Sequence, residues 1–137
     1  IRENISLRRF LDLYMKTNAN LSQDRIDQLH NRFTSAIDLV MNSFGEHAFH
    51  NISPSHSMRF VPKFSPTIFD STLIAADYAL HVGGIALPQN PGEARRTLLS
   101  NPAYRLAISR ETMKRDSINK RVSMACLHLF GINYEQP

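Results

Sequence analysis

Six histidines, one cysteine and a run of arginines and lysines are the residues of this chain with the means to bind or react. His47-x-x-His50, with His56 close behind, offers imidazoles for a zinc ion, yet structural zinc takes four ligands in tight spacings and no cysteine is near. No metal site is assigned. His30-Asn31 and His50-Asn51 echo an HNH nuclease in letters alone, because His30 falls inside a helical pattern and no hairpin context surrounds it. Cys126 sits on the apolar stripe of a helix, where a thiol is structural; reactive thiols need an electropositive, partly exposed setting. Asp70 and Asp77 stand two helical turns apart with no second carboxylate pair to face them, so general acid–base work has no constellation. Gly83-Gly84 is not followed by the Gly-Lys of a phosphate loop. The expectation is no catalytic residue, no cofactor and no enzymatic activity in this chain by itself.

Charge is more informative. The net charge is +4, and Arg95, Arg96, Arg105, Arg110, Lys114, Arg115, Lys120 and Arg121 fall in one stretch opposed only by Glu111 and Asp116. Such a surface attracts phosphate backbones, and its plain alternative is a solvated helical face. The DNA-binding candidates are Arg110, Lys114, Arg115, Lys120 and Arg121, with Lys114 and Arg121 one heptad apart on the same helix face if one helix holds both. Nothing reads as a base-contacting recognition helix, so the contacts expected are to phosphates. Arg121 has a second possible role: beside Val122 it can tie the last helix to a carboxylate such as Asp70 or Asp77.

These residues must be positioned by helices. Ser22–Gly45 carries Ile26, Leu29, Phe33, Ala36, Ile37, Val40, Met41 and Phe44 at helical spacing. Ser22 is placed as N-cap, Leu21 and Ile26 as a hydrophobic staple, and Gly45 as the left-handed stop. This is the long central helix, 22–44, around which the rest is expected to pack. Before it, residues 5–19 form a first helix with a stripe of Ile5, Leu7, Phe10, Leu11, Tyr14 and Met15. After it, Ala48 and Phe49 form one more short turn, and residues 51–65, broken by Pro54 and Pro62, read as a surface loop anchored by Phe60 and Phe64; the alternative is a β-bridge around Met58–Val61, for which the sequence offers no sheet to join. Ser65-Pro66 opens a helix that ends at Gly83-Gly84, with Phe64 and Phe69 as a staple and Ala75, Ala76 and Ala79 permitting close approach. Asn90-Pro91 begins a short helix with Glu93 completing a capping box, and Asn101-Pro102 restarts the pattern to Ser109. The last helix runs from Thr112 or Asp116 to Phe130, with Gly131 after it. Six helices and no convincing strand give an all-α, bundle-like fold, read as one domain over 1–137.

One cysteine cannot close an internal disulfide, which fits a reducing, cytoplasmic setting, and no apolar run nears the roughly 20 residues that span a bilayer. A start at Ile1 in place of Met leads us to expect a piece of a longer protein.

Several short patterns resemble a known family. Arg32-Phe33, the apolar helix, and then Phe44-Gly45-Glu46-His47-Ala48-Phe49 are similar to the FG..AF segment of large prokaryotic proteins typified by GmrSD restriction enzymes. Ile68-Phe69-Asp70 resembles the helix that follows in those proteins, and Thr112 with Lys120-Arg121-Val122 resembles the stretch near their end. His50 departs from the pattern, standing where the family has a basic residue. The resemblance implies a helical, non-catalytic region acting as a structural or interaction module, following a ParB-like nuclease or nucleotidase domain marked by Asp-Gly-Gln-Gln-Arg. That motif is not in this sequence, nor is the HNH domain that some members add. For the whole protein it implies a nucleotide-dependent DNA endonuclease of restriction and anti-phage defence. The partners expected are that ParB-like domain, a second copy of the chain, or DNA; none is a membrane.

Overall fold

Local chemistry sets several of the helix limits, although Ser65 and Lys114 stand at the N-caps of their helices without a side-chain cap bond. In the computed structural model the described residues are 7–53, 55 and 58–136, of which 7, 8, 10 and 11 are described for their backbone only. Ile5, Pro54 and His56, and the side chains of Leu7, Phe10 and Leu11, lie outside that description. Helix α1 spans Leu7–Asn18 and α2 spans Gln23–Phe44. The Ser22 hydroxyl accepts the Arg25 N–H at 3.2 Å, the cap that the sequence predicts, with Asp24 in the positive first turn. Gly45 takes φ +73°, and a single 3-10 turn, Gly45–His47, follows and delivers a buried Ala48. The chain divides into two compact units, Ile1–Arg32 and Phe33–Pro137, with the boundary inside α2.

In the second unit the segment expected to be a loop pairs with itself. Strands β1 (His50–Ile52) and β2 (Phe60–Phe64) form an antiparallel ribbon with His50 opposite Phe64 and Ile52 opposite Phe60. The register slips between those pairs, so β2 bulges, which is where a strand tolerates Pro62. Backbone bonds from Ser53 N to Arg59 O (2.8 Å) and Ser65 N to Phe49 O (3.0 Å) close its two ends. A lone two-stranded ribbon is marginal in water. This one gains support from helix α4 packed on β1 and from an aromatic cluster of Phe49, Phe64 and Phe69, with ring centroids 4.8–6.3 Å apart. The Phe64–Phe69 contact is the staple read from the sequence.

The remaining helices are α3 (Pro66–Val82), α4 (Pro91–Ser100), α5 (Pro102–Ser109) and α6 (Arg115–Phe130). Asn90 caps α4 by accepting the Glu93 N–H at 3.1 Å, but Glu93 does not return the bond. Its carboxylate turns to Arg96 at 3.1 Å, so half of the expected capping box forms. Asn101 caps α5 by accepting the Ala103 N–H at 2.9 Å.

Helix α6 is the hub of this unit, packing against α3, α4 and α5. Its buried residues are Arg121, Val122, Ala125, Cys126, Leu129 and Phe130. Opposite it α3 presents Ala75, Ala76 and Ala79, all fully buried, and the absence of bulk there lets the two backbones come close. The long helix α2 is present as expected, but its stripe is covered only in part. Ala36 and Val40 are buried, whereas Ile26, Leu29, Phe33 and Met41 are exposed by 46%, 36%, 51% and 40%.

Helix α6 stops at Gly131, which has φ +66°. A Cβ built there would stand 2.9 Å from Ala86 Cβ and 3.0 Å from Ala86 O, because Ala86 N donates to Phe130 O at 2.9 Å and draws the 84–87 connector against the helix end. The position therefore demands glycine for its dihedral and for its space. Gly131→Ala is expected to lower unfolding stability by about 1–3 kcal/mol from the dihedral alone. Urea denaturation checks this, and a loss under about 0.5 kcal/mol, the scale of an ordinary surface change, would contradict it.

Candidate phosphate-contacting face

The five candidate cations do not share one surface. Arg110 is the C-cap of α5 in extended conformation (φ −127°, ψ 142°) and is exposed. Lys114 is the N-cap of α6 (φ −68°, ψ 138°), not a residue within it. Its ammonium lies 2.6 Å from the Glu111 carboxylate, and both side chains are more than half exposed. Arg115 opens the helix and Lys120 follows a turn later, both exposed. Lys114 and Arg115 therefore stand at the positive end of the α6 dipole, where a cation is disfavoured and an anion is welcome. Among the described residues no carboxylate lies within salt-bridge distance of Arg110 or Lys120.

Arg121 faces the other way. Its side chain is 2% exposed, and its guanidinium forks onto Asp70 of α3, Nε to Oδ1 at 3.0 Å and Nη2 to Oδ2 at 2.6 Å. Nη1 donates to Thr112 O at 2.6 Å and reaches Ala107 O at 3.4 Å. The heptad spacing to Lys114 is real, but Lys114 precedes the helix and Arg121 points inward with Val122 and Ala125, so the two present no common face. With every nitrogen engaged and the side chain buried, Arg121 is turned away from any phosphate; its place is the tie to Asp70. Asp77, the other carboxylate considered for that tie, is not the partner.

A second buried cation was masked in the sequence by the charge run around it. Arg95 is 3% exposed, although it sits beside the more open Arg96. Its Nη1 donates to His47 O and its Nη2 to His50 O at 2.9 Å, pinning α4 to the 3-10 turn and to the first residue of β1. The Phe60 ring lies 4.8 Å from the Arg95 guanidinium and 4.9 Å from that of Arg96, with His47 stacked on it at 5.3 Å. Burial lowers the Arg95 pKa to about 10, which still leaves it charged at neutral pH. The signal that could have found it is spacing: Arg95, Leu98 and Leu99 lie at i, i+3, i+4, and both leucines are buried.

The other candidates take structural places. His47 Nδ1 and His50 Nδ1 are 3.0 Å apart, one donating and the other accepting, while His56, the third imidazole considered for zinc, is outside the described residues. Among the described residues no three His, Cys, Asp or Glu side chains gather as a metal site. Cys126 is fully buried, and burial pushes its thiol up to about 12. Tyr104, also fully buried, is pushed to about 12, chiefly by burial, and its hydroxyl bonds Ser71 Oγ at 2.8 Å.

Two measurements follow. Arg121→Ala strands the Asp70 carboxylate and removes four bonds, so it should lower unfolding stability by about 3 kcal/mol, the low end for a broken buried pair because Asp70 is 39% exposed. Lys114→Ala, losing only an exposed pair, should change stability by under about 1 kcal/mol. Equal effects in the two variants would contradict the assignment. At alkaline pH, Tyr104 and Cys126 hold their protons in the folded chain beyond their ordinary values of 10.0 and 9.0. Their contribution to stability is whole below those values and is lost as pH rises toward about 12. Urea midpoints should fall across that window, and Cys126→Ala should flatten the fall; a midpoint insensitive to pH there would refute it.

No family model, no curated protein and no solved structure matches this chain.

Proposed function

We propose that the chain is a non-catalytic helical module that holds a partner, standing beside the nuclease or nucleotidase domain of a GmrSD-like restriction protein. The observation that carries the reading is the α2 stripe. In the second unit the helix face that is buried at Ala36 and Val40 is exposed by 51% at Phe33, and in the first unit Leu29 and Ile26 stand at helical spacing and are exposed by 36% and 46%. In the first unit Leu13, Tyr14 and Met15 of α1 are also exposed, by 47%, 55% and 69%. Scattered apolar residues on a surface need no explanation, but a row at core spacing is what a partner covers. The occupant we assign is the catalytic domain of the same protein, with a second copy of the chain as the rival.

The family part of the proposal draws support from the geometry of its own motifs. Ile68-Phe69-Asp70 and Lys120-Arg121-Val122 are far apart in sequence, and Asp70 and Arg121 are joined by two hydrogen bonds at 3.0 and 2.6 Å. A pair of short motifs that encodes one buried contact is a coherent signature. The whole protein is then a nucleotide-dependent DNA endonuclease of a defence system, with its chemistry outside these residues.

A second reading has its own observation. Arg105, Arg110 and Lys120 are exposed and, among the described residues, have no carboxylate within salt-bridge distance. Cations left open in this way suit phosphate contacts, and DNA is the partner they would serve.

Phe33→Lys and Leu29→Lys test the first reading. Both sites are open, so unfolding stability should stay within about 0.5 kcal/mol. Activity of the full-length protein should fall, and any self-association seen by sedimentation should vanish. Unchanged activity together with unchanged sedimentation would overturn the module reading.

A further inference from the structure

We propose that the groove beside α5 is a binding site for the phosphate group of a nucleotide-sized ester. This deepens the phosphate reading by naming a site where that reading names only a face. The groove has a volume of about 660 Å³ and is lined by Asn51 of β1, Ser65 at the start of α3, Ser100 at the end of α4, and Arg105 and Arg110 of α5 and its cap. The volume exceeds what a bare phosphate needs and falls in the range of small-molecule sites. No carboxylate lines it.

The free hydrogen-bonding capacity of the lining is one-sided. Asn51 spends its acceptor, Oδ1, on the Ile52 N–H at 2.8 Å, which leaves its amide hydrogens as donors. Ser65 occupies the N-cap of α3 yet makes no cap bond, and Thr67, 3.5 Å from it, gives its own hydrogen to Ile108 O. The Ser65 hydroxyl is therefore a donor without a strong acceptor. Neither Arg105 nor Arg110 meets a carboxylate among the described residues. Ser100 differs: its hydrogen is committed to Arg96 O at 2.7 Å. Two guanidiniums, one amide and one hydroxyl thus offer donors with little to accept them, the complement of a phosphate's oxygens.

The helix ends agree with that sign. The start of the 17-residue α3 contributes the positive end of its dipole. The opposing negative end of α5 is blunted, because its last carbonyls are taken: Leu106 O by the Arg110 N–H, Ala107 O by buried Arg121, and Ile108 O by Thr67. Pro102 and Leu106, one helical turn apart on α5, add an apolar shelf beside the cations. A ligand with an anionic head and a flat, weakly polar body fits both parts, which is the build of a nucleoside monophosphate. The same phosphate chemistry is carried by the end of a DNA strand, so the test separates the two sources.

Calorimetric titration of the protein at low ionic strength with adenosine monophosphate, inorganic phosphate and adenosine reads the proposal directly. The nucleotide is expected to bind, phosphate to bind more weakly, and adenosine not at all. Arg105→Ala and Arg110→Ala should each weaken the nucleotide by about tenfold, the scale of one charge-assisted contact. Lys120→Ala, outside the groove, should change it by less than about twofold; this margin reflects weak, screened surface charge. Both arginines are exposed, and unchanged melting temperatures will confirm that the variants fold. A duplex carrying 5′-phosphates that displaces the nucleotide, while the unphosphorylated duplex does not, would assign the site to strand ends and uphold it. No binding of nucleotide or phosphate, or equal weakening by Lys120→Ala, would overturn it. Duplex binding that needs Lys120 but survives Arg105→Ala, with no nucleotide bound, would sink the groove and leave the phosphate reading standing.

Discussion

The buried fork between Arg121 and Asp70 is the contact on which the helical packing of residues 33–137 depends. Taking a guanidinium out of water costs several kcal/mol unless its donors are met. Here one side chain from α6 meets both oxygens of an α3 carboxylate and two backbone carbonyls from the 107–112 segment. The bonds fix more than distance. A bidentate fork sets the rotation of α6 about its axis relative to α3, and so decides which residues of α6 face the alanines at 75, 76 and 79. The carbonyl bonds then hold the end of α5 and the following turn against the same helix.

Arg95 applies the same logic in the middle of α4. It satisfies the carbonyl of His47 at the end of the 3-10 turn and that of His50 at the start of β1, and it lies against Phe60 of β2. A short bulged ribbon with a proline in one strand has little stability of its own. The arginine gives it a fixed point on a helix. Among the described residues no buried side-chain nitrogen or oxygen lacks a hydrogen-bond partner, which accounts for how two interior cations are tolerated.

The charge run that looked like one functional surface is divided among different tasks. Arg95 and Arg121 are internal fasteners, Lys114 is paired with Glu111, and Arg105 with Arg110 borders a groove. Composition cannot make that division, because a guanidinium next to leucines on a helix face and one pointing to water are the same letter. The helical spacing around Arg95 carried the information, yet charge was the louder signal. The ribbon was illegible for a related reason. Its strands are short and hold Pro62, and their pairing is sustained by bonds and rings contributed from Phe49, Ser65 and Phe69 outside the strands.

The sequence by itself determined the helices and their limits. Ser22, Asn90 and Asn101 cap, Pro66, Pro91 and Pro102 start, and Gly131 stops, since each acts on backbone groups within four residues of itself. It also determined that Cys126 is an interior thiol, because the apolar period around it is local. Tertiary structure alone decided which stripes are covered. The stripe of α2 has the same period throughout, but burial at Ala36 and Val40 and exposure at Ile26, Leu29 and Phe33 depend on what lies opposite, and a period names a face without naming its neighbour. It also decided that Arg121 meets Asp70, 51 residues away in sequence, and that Arg105 and Arg110 border the same groove as Ser65, about 40 residues before them, both set by long-range packing.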